Sequence, residues 1–324
     1  MAAARHPPRP IEVNSNKYFV YCGIGGILAC GTTHFSMTPI DMLKCRMQVS
    51  PGVYSSIADG LVKVSKTSGL RGLFVGGTAT FLGYSLQGMG KYGFYEYFKY
   101  TYSQAAGAER ANRHKNLVYL SASATAEFLA DIMLCPLEAV KVRLQTAQHQ
   151  PAGGFTQGIR SIYTHEGLGG FYKGLVPLWF RQIPYTMVKF ASFENIVDAI
   201  YRRVLGRPKD AFSKPEQLGV TFAAGYLAGI MCAVVSHPAD TVVSKLNSTD
   251  QTSAGSSGGN RVVAILRDLG PRGIWTGLLA RIFMIGTLTA TQFLIYDSFK
   301  VRTGLPTTGG NDIDAAKQQR AARA

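Results

Sequence analysis

Cysteine is scarce in this sequence, and its spacing is irregular. The chain has five cysteines among 324 residues, and no two of them are separated by two residues. An odd number without regular spacing argues against a disulfide framework, and the missing C-x-x-C motif gives no zinc site. We therefore predict reduced thiols that pack in the interior or line a cavity, and we expect neither a bound metal nor another cofactor.

Charged residues are absent from three long stretches. Residues 18–40 and 217–239 each form 23-residue windows without Asp, Glu, Lys or Arg, and residues 72–90 form one of 19. At a rise of about 1.5 Å per residue, helices of this length span about 30 Å of hydrocarbon. These windows predict transmembrane helices. Ionisable residues in the other spans become functional candidates, because an intramembrane charge is costly.

Acidic residues are also few, with 19 Asp and Glu against 34 Lys and Arg, for a formal net charge of +15. Basic residues occur in both sets of loops, for example at Lys63 and Lys66 and at Arg110 and Arg113, so the positive-inside rule does not orient the chain. The sequence shows no nucleic-acid-binding module and no basic patch with interleaved aromatic residues. We attribute the charge to loops on anionic lipid and expect no nucleic-acid partner.

One motif occurs three times, starting at Pro39, Pro136 and Pro238, at intervals of 97 and 102 residues. An acidic residue follows each proline by two positions. In two copies, basic residues follow by five and seven positions and glutamine by nine, whereas the third copy has Val243 in place of the first base and Lys245 two residues later. Each interval is too long for a solenoid repeat and long enough for two membrane helices with a connection.

A glycine motif, G-x-x-G-x-x-x-G, follows each proline motif by about thirty residues and begins at Gly69, Gly167 and Gly270. These two motifs in threefold register resemble the signatures of the mitochondrial carrier family. The resemblance implies an all-α membrane protein with six transmembrane helices in three tandem two-helix repeats, pseudo-threefold symmetry and short matrix helices. It also implies a multi-pass protein of the mitochondrial inner membrane that works as a monomer and binds cardiolipin.

The repeats are predicted at 16–107, 108–212 and 213–303, between polar tails 1–15 and 304–324 that we expect to be disordered. The predicted long helices are 17–49, 78–102, 116–147, 176–203, 217–247 and 278–302, and the predicted surface helices are 55–67, 155–165 and 260–269. Polar connections are expected at 103–115 and 205–215, and a flexible linker at 248–259.

In the family, charged residues at the two mouths form gates. The implied matrix gate consists of Asp41, Lys44, Glu138, Lys141 and Asp240. Asp41 is expected to pair with Lys141, and Asp240 with Lys44, while Val243 leaves Glu138 without its partner from repeat three. A pair at about 4 Å is worth roughly 4 kcal/mol at a dielectric near 20, before desolvation, so two pairs would bias the equilibrium without locking it.

The opposite mouth carries the family pattern aromatic-acid-x-x-base on the even-numbered long helices. The implied cytoplasmic gate consists of Glu96, Lys99, Glu194, Asp297 and Lys300. In repeat two, Val197 stands where the base is expected. This gate is therefore also expected to lack one ion pair.

Substrate-binding residues are expected halfway along the even-numbered long helices. Alignment of the repeats on Gly77, Gly174 and Gly277 predicts that the residues seven positions later lie at equal depth. Helical spacing adds neighbours on the same faces. The predicted substrate-binding residues are Tyr84, Gln87, Lys91, Arg181, Gln182, Tyr185, Lys189, Arg281 and Met284. Cations with hydroxyl and amide donors suit a small polyoxyanion, which guanidinium binds as a fork and lysine as a point charge.

The segments around these residues, 83–96, 177–190 and 280–290, resemble the phosphate-carrying members of the family, as does the altered third signature. The resemblance implies a secondary transporter that imports inorganic phosphate into the matrix with a proton, equivalently in exchange for hydroxide, by alternating access.

Proton coupling requires groups that titrate inside the membrane. His34 and Asp131 each stand five residues before a signature proline, and Glu127 lies one helical turn before Asp131. Imidazole titrates near neutral pH, and intramembrane carboxylates commonly mark proton relays. We predict that His34, Glu127, Asp131 and Glu138 serve proton coupling.

Three other interpretations stay open. The chain could carry another small anion or copper, and Cys22, Cys30 and Cys45 leave the second possibility open without soft-metal spacing. An enzyme is not expected, because no nucleophile–base set or metal spacing is visible. A non-transporting scaffold or pore component is the third interpretation.

Overall fold

The computed structural model describes residues 11–49, 52–146, 154–249, 267, 270, 274–275 and 278–309, without the side chains of 48–49, 239–240, 242–249 and 280. In this part of the chain every regular element is helical. Six helices are long: α1 (Asn16–Val49), α3 (Gly77–Ala106), α5 (Lys115–Thr146), α7 (Leu175–Ala199), α8 (Lys214–Thr249) and α9 (Leu278–Arg302). The prediction of six long helices, two per repeat, is confirmed.

The six helices form a closed ring, in which successive contacts run α1–α3–α5–α7–α8–α9 and back to α1. Each repeat therefore contributes one adjacent pair, as the pseudo-threefold prediction requires. The helices α1, α5, α7 and α8 continue through Pro39, Pro136, Pro184 and Pro238 respectively. We call the ring end that carries the proline motifs the signature end, and the opposite end, where α1 starts and α9 finishes, the terminal end.

Within the described part of the chain, three helical segments are long and apolar enough to cross a membrane: Lys115–Thr146, Lys214–Pro238 and Arg281–Arg302. The helix α1 is not among them although it is almost free of charge, because glycine, serine and threonine dilute its hydropathy. Small residues of this kind suit close packing between membrane helices. The architecture therefore depends on helix contacts as well as on apolar length.

Short elements lie outside the ring: α2 (Ile57–Leu73), α4 (Ala108–Arg113) and α6 (Gly154–Glu166). The Ser56 hydroxyl caps α2 by accepting a hydrogen bond from the Asp59 amide at 3.1 Å, which satisfies one free donor at the helix start. The helix α4 was not predicted, since it lies in the segment 103–115 where a polar connection was expected. The third predicted surface helix and the predicted linker at 248–259 lie outside the described residues, except for a few positions.

The first glycine of each glycine motif has the same backbone conformation. The φ angles of Gly69, Gly167 and Gly270 are 65°, 66° and 59°, in the left-handed region that residues with a Cβ rarely adopt. The glycines are thus required by the turn itself, in all three repeats.

Neither tail is disordered where the structure describes it. Ile11 and Val13 pack against the aromatic core at the terminal end, and residues 304–309 fold back on α9, with Leu305 only 2% exposed. The prediction of disordered tails is therefore wrong for 11–15 and 304–309. Composition concealed this, because the polar tail residues satisfy hydrogen bonds of buried groups. The remaining tail residues lie outside the described part.

Glycines set the closest helix contacts. A Cβ added at Gly26 of α1 would overlap the carbonyl oxygen of Gly88 on α3, and one added at Gly229 of α8 would lie 2.6 Å from Cα of Gly286 on α9. The first and third repeats thus share the same close approach of backbones, which only residues without a Cβ permit.

We predict that Gly88→Ala destabilises the protein by about 1–3 kcal/mol or more, because overpacking forces the helices apart. Gly219→Ala is the matched control, since an added Cβ there meets nothing within 4 Å and glycine is unfavourable inside a helix. Thermal unfolding in detergent, followed by a dye that reacts with newly exposed thiols, measures both. Equal stability of Gly88→Ala and the parent would contradict the close-contact role.

Candidate transport site

A cavity of about 310 Å³ lies inside the ring of helices. All nine residues predicted to bind substrate line it: Tyr84, Gln87, Lys91, Arg181, Gln182, Tyr185, Lys189, Arg281 and Met284. It is also lined by His34, Asp41, Lys44, Glu138 and Lys141. The six cations in this set outnumber the two carboxylates, so the cavity favours a small anion.

One wall of the cavity carries a buried network between α3 and α5. Lys91 Nζ lies 3.1 Å from Glu127 Oε1. The Gln87 amide donates to Glu127 Oε1 at 2.8 Å and to Asp131 Oδ1 at 3.1 Å. Glu127 and Asp131 are fully buried and lie behind Gln87 and Lys91, outside the cavity lining. The cavity therefore contacts these two carboxylates only through Lys91 and Gln87.

The two carboxylates are incompletely hydrogen-bonded. Glu127 Oε2 and Asp131 Oδ2 are buried and have no hydrogen-bond partner among the described residues. Both groups accept from the same Gln87 nitrogen, so two like charges lie close together in a region shielded from water. A proton on either carboxylate would relieve their repulsion.

Lys189 occupies the end of the cavity toward the terminal end. It donates to Gln292 Oε1 at 2.5 Å, and Gln292 in turn donates to Thr33 Oγ1 at 3.3 Å. The Lys189 ammonium also lies 5.3 Å from the Phe293 ring centre and 5.8 Å from that of Tyr92. Sequence reasoning missed Gln292 and Thr33, which orient this cation.

The predicted depth alignment was one residue out in repeat one, because Gly76 and not Gly77 is the equivalent of Gly174 and Gly277. With Gly76, the residues sixteen positions later are aromatic in all three repeats, and their rings meet: Tyr92–Phe190 at 5.3 Å, Tyr92–Phe293 at 6.0 Å and Phe190–Phe293 at 5.9 Å. One position earlier, the corrected register aligns Lys91, Lys189 and Gln292, and that signal would have identified Gln292. In the corrected alignment, the position equivalent to Tyr84 in repeat two is Gln182 rather than Arg181.

His34 stacks on Tyr84 within the cavity. Their ring centres are 3.7 Å apart and the ring planes differ by 12°. Lys141 Nζ lies 5.1 Å from the centre of the same Tyr84 ring. His34 therefore lines the cavity. Two other residues predicted to serve proton coupling, Glu127 and Asp131, lie behind the cavity wall.

At the signature end, the predicted contact between Asp41 and Lys141 is present at 3.7 Å. Glu138, predicted to lack a partner in repeat three, contacts Lys141 of its own helix at 3.4 Å. Lys44 Nζ lies 3.0 Å from Met284 Sδ. The side chain of Asp240 lies outside the described residues, so its predicted contact with Lys44 stays a prediction.

The other signature residues brace the surface helices. Arg143 and Lys173 both contact Glu166 at the end of α6, the second at 2.7 Å. Hydrogen bonding to the Lys173 ammonium lowers the pKa of Glu166. Gln145 donates to the Val75 carbonyl at 3.4 Å, and its own carbonyl accepts from Arg46 at 3.3 Å. In the first two signatures the acid and the first base thus line the cavity, while the later positions contact the periphery.

The terminal end is closed by two layers of aromatic rings. The first layer comprises Tyr92, Phe190 and Phe293, and the second comprises Tyr95, Phe193 and Tyr296. Each first-layer ring packs on a second-layer ring of another repeat: Phe190 stacks on Tyr95 at 4.2 Å and Phe293 on Phe193 at 3.6 Å, while Tyr92 packs on Tyr296 at 4.3 Å with the ring planes tilted by 35°. All six side chains are at most 1% exposed, so the cavity is sealed on this side.

Charged residues lie beyond the rings. Lys99 contacts Glu96 of its own helix at 2.9 Å and Glu194 of α7 at 3.2 Å. Asp297 accepts hydrogen bonds from Thr221 and Thr308, and Lys300 donates to Tyr18 and Thr308. Asp297 and Lys300 are fully buried, whereas the Asp41 side chain at the signature end is 29% exposed. The terminal end is thus the more tightly closed.

The described cysteines are all free, and Cys22, Cys30, Cys135 and Cys232 are buried. Among the described residues, no three His, Cys, Asp or Glu side chains gather as they would around a metal ion. The copper interpretation gains no support from this geometry.

We predict that Lys91→Met destabilises the protein by roughly 3 kcal/mol, because it leaves Glu127 buried without its cation. The double variant Lys91→Met/Glu127→Gln is expected to be less destabilised than the sum of the single variants, since the two residues interact directly. Lys63→Met is the control: its ion pair with Asp59 is exposed and worth at most about 1 kcal/mol. Thermal unfolding of the parent, the two single variants and the double variant measures the interaction energy between Lys91 and Glu127. Strictly additive effects would argue against a direct interaction.

The sequence matches the family described as mitochondrial carrier protein three times, over residues 15–105, 112–204 and 214–304. It is 52% identical over 303 residues to the "Probable mitochondrial phosphate carrier protein" of Schizosaccharomyces pombe, covering 94% of this chain and 96% of that protein. It is 53% identical over 306 residues to the "Phosphate carrier protein, mitochondrial" of Caenorhabditis elegans, covering 94% and 87%.

A third relative, "Solute carrier family 25 member 3" of Homo sapiens, is 52% identical over 309 residues, covering 94% of this chain and 82% of that protein. The predicted location, a multi-pass protein of the mitochondrial inner membrane, is confirmed by these matches. With three matched segments that coincide with a ring of three helix pairs, the chain belongs to the mitochondrial carrier family.

Proposed function

We propose that this protein is a secondary transporter that imports inorganic phosphate into the mitochondrial matrix together with a proton, which is equivalent to exchange for hydroxide. Members of the family are transporters rather than enzymes, and the relatives named above as phosphate carriers share about half of their residues with this chain. The observation that carries the proposal is the cavity of about 310 Å³ lined by six cations and two carboxylates.

Phosphate would bind between α3 and α7. Arg181 offers a planar fork of donors that matches two phosphate oxygens, and Lys189 offers a point charge. Tyr84 and Tyr185, on the same cavity wall as these cations, add hydroxyl donors. A volume of this size suits a small tetrahedral anion, and hydrogen bonds to its oxygens would offset the loss of hydration.

Lys91 connects substrate binding to protonation. While Glu127 is ionised, it holds the Lys91 ammonium at 3.1 Å. A proton on the Glu127–Asp131 pair would weaken that contact and release the Lys91 charge toward the cavity, where it could bind phosphate. Anion and proton would thus favour each other's binding, which is the reciprocity that symport needs. His34 and Glu138, which line the cavity, would bring the proton from solvent.

Coupled entry would move no net charge. Dihydrogen phosphate with one proton is electroneutral, whereas one uncompensated charge moving against the field costs about 2.3 kcal/mol per 100 mV. The pH gradient would then drive uptake into the matrix.

Alternating access would use the two charged layers. In the family orientation, the signature end faces the matrix and the terminal end faces the intermembrane space. Asp41, Lys44, Glu138, Lys141 and Asp240 would form the matrix gate, and the layer of Glu96, Lys99, Glu194, Asp297 and Lys300 the cytoplasmic gate. The structure has its rings packed at the terminal end and its partly exposed acids at the signature end, which corresponds to access from the matrix side.

A second cavity of about 310 Å³ lies on the outside, between α5, α6 and the start of α7, and includes Arg143, Lys173 and Gly174. Basic side chains beside a helix start suit lipid phosphates. We propose this groove as a cardiolipin site of a functional monomer.

We predict that phosphate uptake into proteoliposomes accelerates when the outside is made more acidic than the lumen. Asp131→Asn and Glu127→Gln are expected to abolish this acceleration while exchange of phosphate for phosphate continues, because the exchange needs no net proton movement. Labelled phosphate measures both modes. An uptake rate of the parent protein that ignores the imposed pH step would contradict coupling.

We predict that Lys91→Ala and Arg181→Ala each reduce phosphate exchange by roughly a hundredfold or more, since each removes a charged donor worth about 3 kcal/mol. Arg181→Lys should recover only part of the activity, because lysine lacks the fork. Lys63→Ala, an exposed residue of α2, is the control. Normal exchange in a folded Arg181→Ala protein would remove that residue from the site.

A further inference from the structure

We infer that residues 304–309, here called the strap, form the third link between helices in the charged layer at the terminal end, the proposed cytoplasmic gate. The strap replaces the basic residue that repeat two lacks. The inference rests on the proposed alternating access and adds an element to it. The strap follows α9 and ties together α7, α8 and α9, as its contacts show.

The threefold pattern of this gate shows where a basic residue is missing. Lys99 on α3 reaches Glu194 on α7 at 3.2 Å. The equivalent step from α7 would bring a base at position 197 to Asp297 on α9. Position 197 is a valine that is 1% exposed, and its side chain cannot pair with a carboxylate. Asp297 nevertheless is fully buried and needs donors.

The strap supplies those donors. The Thr308 amide lies 2.9 and 3.1 Å from the two oxygens of Asp297, and the Thr308 hydroxyl donates to Asp297 at 2.6 Å. The same hydroxyl accepts from Lys300 at 3.4 Å. One strap residue thus joins the acid and the base of repeat three, and Thr221 of α8 adds a further donor to Asp297 at 2.7 Å.

The strap also occupies the space over Val197. Gly309 has a φ of 77°, and a Cβ added to it would lie 2.8 Å from a methyl carbon of Val197. A longer side chain at position 197 would compete with the strap for this space. Valine at 197 and glycine at 309 are therefore complementary: one makes room for the strap, and the other lets its backbone fit.

Further hydrogen bonds hold the strap to the loop between α7 and α8 and to the first turn of α8. Lys209 donates to the carbonyls of Thr307 and Gly309 at 2.5 and 2.6 Å. The Thr307 hydroxyl donates to Gln217 at 3.0 Å. Leu305, Thr307 and Thr308 are all at most 2% exposed, so the strap is part of the closed end rather than a surface tail.

Opening the terminal end requires α7 and α9 to separate. The strap contacts Val197 on one and Asp297 on the other, so it must release one of them when the gate opens. Contacts made only in the closed state shift the equilibrium toward that state.

The test measures how often the terminal end opens, by the rate at which Cys22 reacts with a membrane-impermeant maleimide in the absence of phosphate. Cys22 is fully buried among the terminal aromatic rings, and the other four cysteines are replaced by serine. Ending the chain after Thr303 should raise the labelling rate on the order of tenfold, as expected for about two lost buried hydrogen bonds. Ending it after Gly310 leaves the strap in place and should change nothing.

Two variants separate this role of the strap from a general loss of structure. Thr308→Val keeps the chain length and should raise labelling severalfold, because it removes the hydroxyl alone. Val197→Lys in the chain that ends after Thr303 should restore slow labelling, since it gives Asp297 the missing base. Labelling that is unchanged in Thr308→Val, or a rise that Val197→Lys does not reverse, would overturn the inference. Because the assay contains no phosphate, failure of the phosphate proposal would leave its result unaffected.

Discussion

Charges buried in a membrane protein need partners, and the arrangement of this ring follows from how each charge finds one. Lys91 has Glu127, Lys99 has Glu194, and Lys141 has Asp41 and Glu138. All these pairs except that of Lys141 with Glu138 join different helices, so they also determine which helices stay together. A pair that breaks must be replaced by another partner, by substrate or by water. In the proposed function, transport would be an exchange of partners among a small number of buried charges.

The threefold pattern is most informative where it fails. Two basic positions of the pattern hold valine, Val243 at the signature end and Val197 at the terminal end. In each case the acid that lacks its symmetric partner contacts a group of its own repeat or of the tail: Glu138 contacts Lys141, and Asp297 is bonded to Thr308. Where a repeat lacks the basic residue of the pattern, a nearby group contacts the acid instead. The three repeats share one backbone plan but contribute unequally to the charged layers at the two ends of the ring.

The resemblance of the repeated motifs to the carrier family predicted the six long helices, and alignment of the repeats together with helical spacing predicted residues that line the cavity. A one-residue error in the glycine alignment left all nine predicted residues in the cavity lining but matched the wrong residues between repeats, because a shift of one residue rotates the position around a helix by about 100°. Gln292 was missed because it is uncharged, and the strap because its role depends on contacts that composition does not show. Contacts between distant segments, such as that of Lys209 with Thr307, carry no local signal.

The stacking at the terminal end connects the repeats in a cycle. Tyr92 rests on Tyr296, Phe293 on Phe193 and Phe190 on Tyr95, so that every repeat both supports and is supported by another. A single repeat that tilts away breaks two of these three ring pairs at once. The cycle therefore favours a cooperative, all-or-none movement of the three repeats over independent motions, and partly opened forms with a leak through one interface should be rare.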